Sequence, residues 1–184
     1  TSKMNRRKFL ASSAAVGAGL AVAGGKIVRA QAPKTDDLNV AIIGWGSQGK
    51  VLTNAALKIP GLKFRGVCDI WKYSRQYGYG TLKKNGHPVS QYVDFEDMLD
   101  KEKDLDAVIV ATPDFWHAEH AITSMKAGIH VYCEKAMSND LTKAKQMVLT
   151  SRETTQLLQI GHQRRSHPRY IHCTDRLIRD AKLS

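Results

Sequence analysis

Short apolar runs rich in β-branched residues alternate along this chain with longer stretches whose apolar positions recur at helical spacing. Residues 38–43 (Leu-Asn-Val-Ala-Ile-Ile) predict a strand. Val51, Leu52, Ala55, Ala56 and Ile59 mark one face of a helix over 47–58 that stops at Pro60-Gly61. A second strand is expected over 63–68, a short third over 88–93, and a helix from its cap Asp94 to residue 99. Residues 105–111 form the clearest buried strand, closed by Thr112-Pro113. After it come a helix over 115–127 ending at Gly128, a strand over 129–133, a helix over 139–153, a sixth strand over 157–160 and a last helix over 168–182. No element is assigned to residues 70–87. Strand and helix alternating at this spacing predict an α/β fold, a doubly wound parallel sheet of Rossmann type.

The chemistry begins where the first strand ends. Gly44-Trp45-Gly46-Ser47-Gln48-Gly49 is a G-x-G-x-x-G sequence between a strand and a helix. Gly44 permits the tight turn, Gly46 lets the backbone approach a pyrophosphate, and Gly49 lets helix and strand pack closely. Free N–H groups and the helix dipole at the next helix start favour an anion. The second strand ends in Asp69, twenty residues after Gly49, where a carboxylate accepts both ribose hydroxyls of NAD and repels the 2′-phosphate of NADP. The expected cofactor is therefore NAD rather than NADP. Three further segments reach the carboxyl ends of the strands: 112–117, Glu134-Lys135, and 161–165.

Charge adds an address rather than a partner. Of the formal net charge of +11, six charges lie in residues 1–32, which hold Lys3, Arg6, Arg7, Lys8, Lys26 and Arg29 and no acid. In the remainder, bases and acids are interleaved, which argues against nucleic-acid binding. Arg6-Arg7 stands directly before an apolar stretch reaching residue 28, the layout of a Tat-type export signal. The stretch is rich in Ala, Gly and Ser and contains Lys26, too weak for a stable membrane span. A cleaved signal over 1–30 and a linker over 31–37 are expected, giving a periplasmic or otherwise exported protein, with an uncleaved anchor as the alternative. Cleavage after Ala30 is favoured over Ala32, because Pro33 would follow the latter. Cys68, Cys133 and Cys173 have no metal-ligand spacing and read as ordinary thiols; no metal is expected.

From Leu38 onward the sequence resembles the Gfo/Idh/MocA family, named for glucose-fructose oxidoreductase, inositol dehydrogenase and a rhizopine protein. The matching points are the glycine turn with Asp69, the Ala111-Thr112-Pro113-Asp114-Phe115-Trp116-His117 segment, Ala127-Gly128-Ile129-His130-Val131 leading to Glu134-Lys135, and Gly161-His162-Gln163-Arg164-Arg165 with Pro168 and Tyr170. The resemblance implies an NAD-dependent oxidoreductase acting on a sugar, polyol or related carbohydrate, homo-oligomeric in its full-length form. It also implies that Lys135 lies nearest the chemistry. The residues expected to line the cofactor are Gly44, Trp45, Gly46, Ser47, Gln48, Gly49, Asp69, Thr112, Pro113, His117, Glu134, Lys135, Arg164 and Arg165. The family's usual Glu-Lys-Pro is Glu-Lys-Ala here, and loss of the proline is expected to loosen the loop and remove its cis option.

The family's second domain often supplies an Asp-x-x-x-His pair, which is not found after Pro168; His162, His167 and His172 receive no catalytic role. The expected organisation is a dinucleotide-binding domain over 38–165 and, over 166–184, the start of a substrate domain at which the chain stops. Two alternatives accompany the oxidoreductase. Some exported family members are glycoside hydrolases, in which bound NAD transiently oxidises a sugar carbon so that the glycosidic bond breaks by elimination. The other is a domain that binds dinucleotide without turnover.

Overall fold

The computed structural model describes residues 37–180. The expected signal over 1–30 and linker residues 31–36 lie outside the described residues, as do residues 181–184. Six strands form one sheet: β1 (Leu38–Ile43), β2 (Leu62–Cys68), β3 (Ser90–Tyr92), β4 (Ala107–Val110), β5 (His130–Glu134) and β6 (Leu158–Gly161). Every neighbouring pair is parallel, in the order β3-β2-β1-β4-β5-β6. Between them run α1 (Ser47–Ala56), α2 (Lys72–Lys84), α3 (Phe95–Lys101), α4 (Asp114–Lys126) and α5 (Leu141–Thr154).

β1 shows why its run is apolar throughout. Successive side chains point to opposite faces, so Val40 and Ile42 enter one core and Ala41 and Ile43 the other. The first core gathers Phe64, Val67, Trp45, Ala56 and Leu82; the second gathers Val108, Val110, Val131, Ala121, Met125 and Met147. Asp94 caps α3 by accepting from the backbone N–H groups of Glu96 and Asp97, and Asp140 caps α5 through Lys143.

α2 is the element the pattern does not announce. Its sequence, KYSRQYGYGTLKK, is mostly polar and holds two glycines, yet Ser74, Gly78 and Leu82 form a buried face at four-residue spacing. A Cβ on Gly78 would lie 2.6 Å from the Trp45 ring, so the helix packs through its missing side chain. The last expected helix also changes character: after a 3-10 turn at Gln163–Ser166, α6 (Pro168–His172) continues as a wider π-type helix over Cys173–Asp180. Tyr170, Ile171, Leu177 and Ile178 are exposed along it. No described helix is long and apolar enough to cross a membrane.

Candidate functional site

β1 runs straight into the glycine turn. Gly44 has φ +95° and donates its N–H to the Cys68 carbonyl at 2.8 Å; a Cβ there would lie 2.7 Å from the Ala111 carbonyl oxygen. A Cβ on Gly49 would collide with the Gly44 carbonyl oxygen, which explains the close packing of α1 on β1. Gly46 is different: nothing lies within 4 Å of where its Cβ would be. It stands at the start of α1, whose first turn receives no side-chain cap, so free N–H groups face open space. Gly44 and Gly49 thus do the steric work their spacing predicts, and Gly46 leaves open space at the helix start.

Asp69 closes the turn from the end of β2. Its Oδ2 accepts the Trp45 N–H at 2.7 Å and its Oδ1 the Trp71 N–H at 2.8 Å, and the half-buried carboxylate lines a cavity of about 540 Å³. Gly44, Gly46, Thr112 and Pro113 share that cavity, and Phe95, Phe115 and Trp116 supply aromatic wall. Ile70, Asp94 and Phe95 are not among the residues the sequence points to here, whereas Phe115 and Trp116 fall within the expected 112–117 segment; the five come from three separate segments with no common motif.

A second cavity of about 170 Å³ lies on the other side of the β4 end, lined by Gln48, Ala111, Thr112, Glu134, Lys135 and Gln163. Glu134 is 4% exposed. Its Oε1 accepts from the side-chain amides of both Gln48 (2.9 Å) and Gln163, and its Oε2 from the Lys135 N–H at 3.1 Å. Lys135 is exposed at the rim. The Lys135–Ala136 bond is cis, so the expected loss of that option is not what the structure has.

Several expected residues sit elsewhere. The Trp45 indole is 1% exposed inside the first core, and only its backbone reaches the turn. Ser47 is exposed and lines neither cavity. Nor does His117, which is buried between loops: Nδ1 lies 2.6 Å from the Ala136 carbonyl oxygen and Nε2 2.8 Å from that of Thr112. Its ring ties the loop after β4 to the loop after β5. Arg164 and Arg165 are exposed on the 3-10 turn, and their neighbour Gln163 is the one brought to the cavity.

His120 lines the larger cavity with Nδ1 3.1 Å from Thr112 Oγ1; burial, reinforced by the His117 charge and opposed by Asp94, pushes its pKa down to about 4. Burial, then Asp94 and Asp69, push the Cys68 thiol up to about 12, and burial with Glu134 does the same to Cys133. Burial thus favours the un-ionised form of both thiols. No group of His, Cys, Asp or Glu suited to a metal occurs among the described residues.

The strand order reverses between β1 and β4, and both cavities open there, at the carboxyl ends of the strands. A glycine turn, an uncapped helix start and an acid ending β2 at that switch point define a dinucleotide-binding Rossmann domain. The chain belongs to the Gfo/Idh/MocA family, whose model, described as an oxidoreductase family with an NAD-binding Rossmann fold, matches residues 38–162.

A glycosyl hydrolase family 109 protein from Saccharopolyspora erythraea is 31% identical over 171 residues, covering 82% of this chain and 37% of the relative. One from a Shewanella species is 27% identical over 173 residues, covering 82% and 38%. Among solved structures, myo-inositol 2-dehydrogenase from Lactobacillus plantarum superposes with a TM-score of 0.70 at 28% identity, over 79% of this chain and 41% of that one. Scyllo-inositol dehydrogenase from Lactobacillus casei, with bound NAD(H) and scyllo-inositol, gives 0.69 at 25% identity, over 80% and 42%. The chain spans about two fifths of the length of these relatives.

Proposed function

We propose that this domain holds NAD for an oxidoreductase acting on a sugar, polyol or related carbohydrate. The observation that carries the reading is the pair of cavities flanking the end of β4 and sharing Ala111 and Thr112, one bearing Asp69 and the other Glu134 and Lys135. The residues fit the cofactor: open space beside Gly46 and the uncapped start of α1 suit a pyrophosphate, Asp69 suits the adenosine ribose, and the aromatic-walled cavity suits the adenine. The smaller cavity then takes the nicotinamide end. Bound NAD would supply the acceptor for the hydride of a carbinol whose hydroxyl proton passes to a base.

The chain's own groups do the rest. Lys135 Nζ, at the rim, donates a hydrogen bond to the carbinol oxygen and orients it, since an ammonium offers three donors on a flexible stem. His117 keeps Thr112 and Ala136 in place from below. Saturable NADH binding by the purified protein tests the reading, and no binding would end it.

The family 109 relatives favour a second reading, a glycoside hydrolase that recycles its NAD. Net redox separates the two. Polyol-dependent NADH absorbance marks the oxidoreductase, and sugar release from an aryl glycoside without added cofactor marks the hydrolase.

The remaining expectations stand as proposals from the sequence. Residues from 166 onward lead into a substrate domain, consistent with the exposed Tyr170, Ile171, Leu177 and Ile178, and the full-length form is a homo-oligomer. Arg6 and Arg7 direct Tat export; replacing both with Lys is expected to strand the precursor in the cytoplasm, and undiminished export would remove the proposal.

A further inference from the structure

Glu134 is a buried carboxylate with three hydrogen-bond donors and, among the described residues, no ion-pair partner. Two neutral side-chain amides and one backbone N–H satisfy its oxygens, and among the described residues no Lys, Arg or His lies within ion-pair distance of it. Gln48 comes from the first turn of α1 and Gln163 from the turn after β6, so the carboxylate is clasped from both sides and fixed in direction. Neither donor cancels its charge. Among the described residues the one cationic side chain lining the same cavity is Lys135, which is exposed and screened by solvent, whereas Glu134 is 4% exposed and screened far less.

Oxidised and reduced nicotinamide are nearly identical in shape and differ by one positive charge on the ring. Adenosine, pyrophosphate and both riboses are common to the two forms, so contacts in the larger cavity cannot separate them. A fixed, uncompensated negative charge in the smaller cavity can.

We propose that Glu134, held by Gln48 and Gln163, is the residue by which this site favours the oxidised, positively charged nicotinamide over the reduced one. This rests on the reading that the smaller cavity takes the nicotinamide end. The amides act as positioning residues: they hold the carboxylate in one orientation while leaving its charge unpaired. The exposed ammonium of Lys135 opposes the preference weakly. The two charges therefore act on the ratio of NAD+ to NADH affinity with opposite signs.

The test is a calorimetric titration of the whole chain with NAD+, NADH and ADP-ribose, the last lacking the nicotinamide. Glu134→Gln, close in shape but uncharged, is expected to weaken NAD+ on the order of tenfold while NADH and ADP-ribose stay within about twofold. Lys135→Met, at an exposed position, is expected to move the ratio the other way, by a few-fold. Equal weakening of NAD+ and NADH by Glu134→Gln, or a shift of the ratio in the same direction by both variants, overturns the proposal. If Glu134→Gln loses ADP-ribose binding through misfolding, the sign of the Lys135→Met shift decides. Failure of the unmodified chain to bind ADP-ribose or NADH would instead overturn the dinucleotide reading, and this inference with it.

Discussion

The backbone N–H of Trp45 donates to Asp69 Oδ2 at 2.7 Å, tying the glycine turn after β1 to the residue that ends β2. One side chain thus serves two ends: it fixes the glycine turn and stands in the wall of the larger cavity. On the proposed reading its carboxylate repels a 2′-phosphate. Asp69→Ala is expected to narrow the affinity gap between NADH and NADPH by about 1 to 3 kcal/mol. Fluorescence titration with both cofactors checks this, and equal affinities in the unmodified protein would remove the basis for an NAD preference.

Gly78 lies against the Trp45 ring, and an added Cβ would sit 2.6 Å from Cδ2 of the indole and 2.9 Å from Cγ2 of Val67. Gly78→Ala is expected to cost about 1 to 3 kcal/mol by overpacking. Trp45→Val removes the ring atoms Cδ2 and Cε3 that are struck. The double variant should therefore lose less than the two single changes added together, as read from denaturant midpoints. Strict additivity would mean that the contact is not what limits position 78.

His117 should matter more to stability than any residue that lines the cavities. Replacing it with Leu leaves the Thr112 and Ala136 carbonyl oxygens without the ring that meets them, at a cost of about 2 to 4 kcal/mol. Because those loops carry Thr112 and Lys135, NADH affinity is expected to fall as well. Urea unfolding and NADH titration measure the two effects; a stable variant with normal binding would show that the ring only fills space.

Acid should weaken the fold through His120. Its folded pKa of about 4 lies below the ordinary 6.5, so below pH 6.5 the unfolded chain binds the proton that the folded chain refuses. Stability is expected to fall by about 1 kcal/mol per pH unit between pH 6.5 and 4, and to be unaffected by this group above 7. Thermal melts across that range, compared with His120→Gln, check the slope. The variant should flatten it without abolishing it, since burial, then Lys63, also lowers the pKa of His87. An unchanged slope in the variant would assign the acid sensitivity elsewhere.

Much of this was legible from residue order alone, and the exceptions share a cause. β1, α1 and β2 declare themselves because their apolar periodicity and three glycines are local signals, and Asp69 follows at a fixed distance. α2 is hidden because its core face is built from Ser74, Gly78 and Leu82, of which only one is a large apolar residue. In the last segment Arg164 and Arg165 carry the charge that a sequence pattern flags, whereas the neutral amide of Gln163 is what reaches Glu134. Trp45 sits inside the motif, yet its indole belongs to the core, a distinction that backbone direction decides and spacing does not. The aromatic wall of Phe95, Phe115 and Trp116 needs the tertiary fold to exist at all.

The larger and smaller cavities meet only across the end of β4, at Ala111 and Thr112, with Asp69 on one side and Glu134 on the other. Mutations at separate places with no shared partner add independently. On the proposed placement of the cofactor, selection or a protein engineer could therefore exchange the choice of phosphate at the larger cavity without touching the smaller one. Such a partition lets one scaffold diversify along two axes at once, with Thr112 as the position where the axes cross.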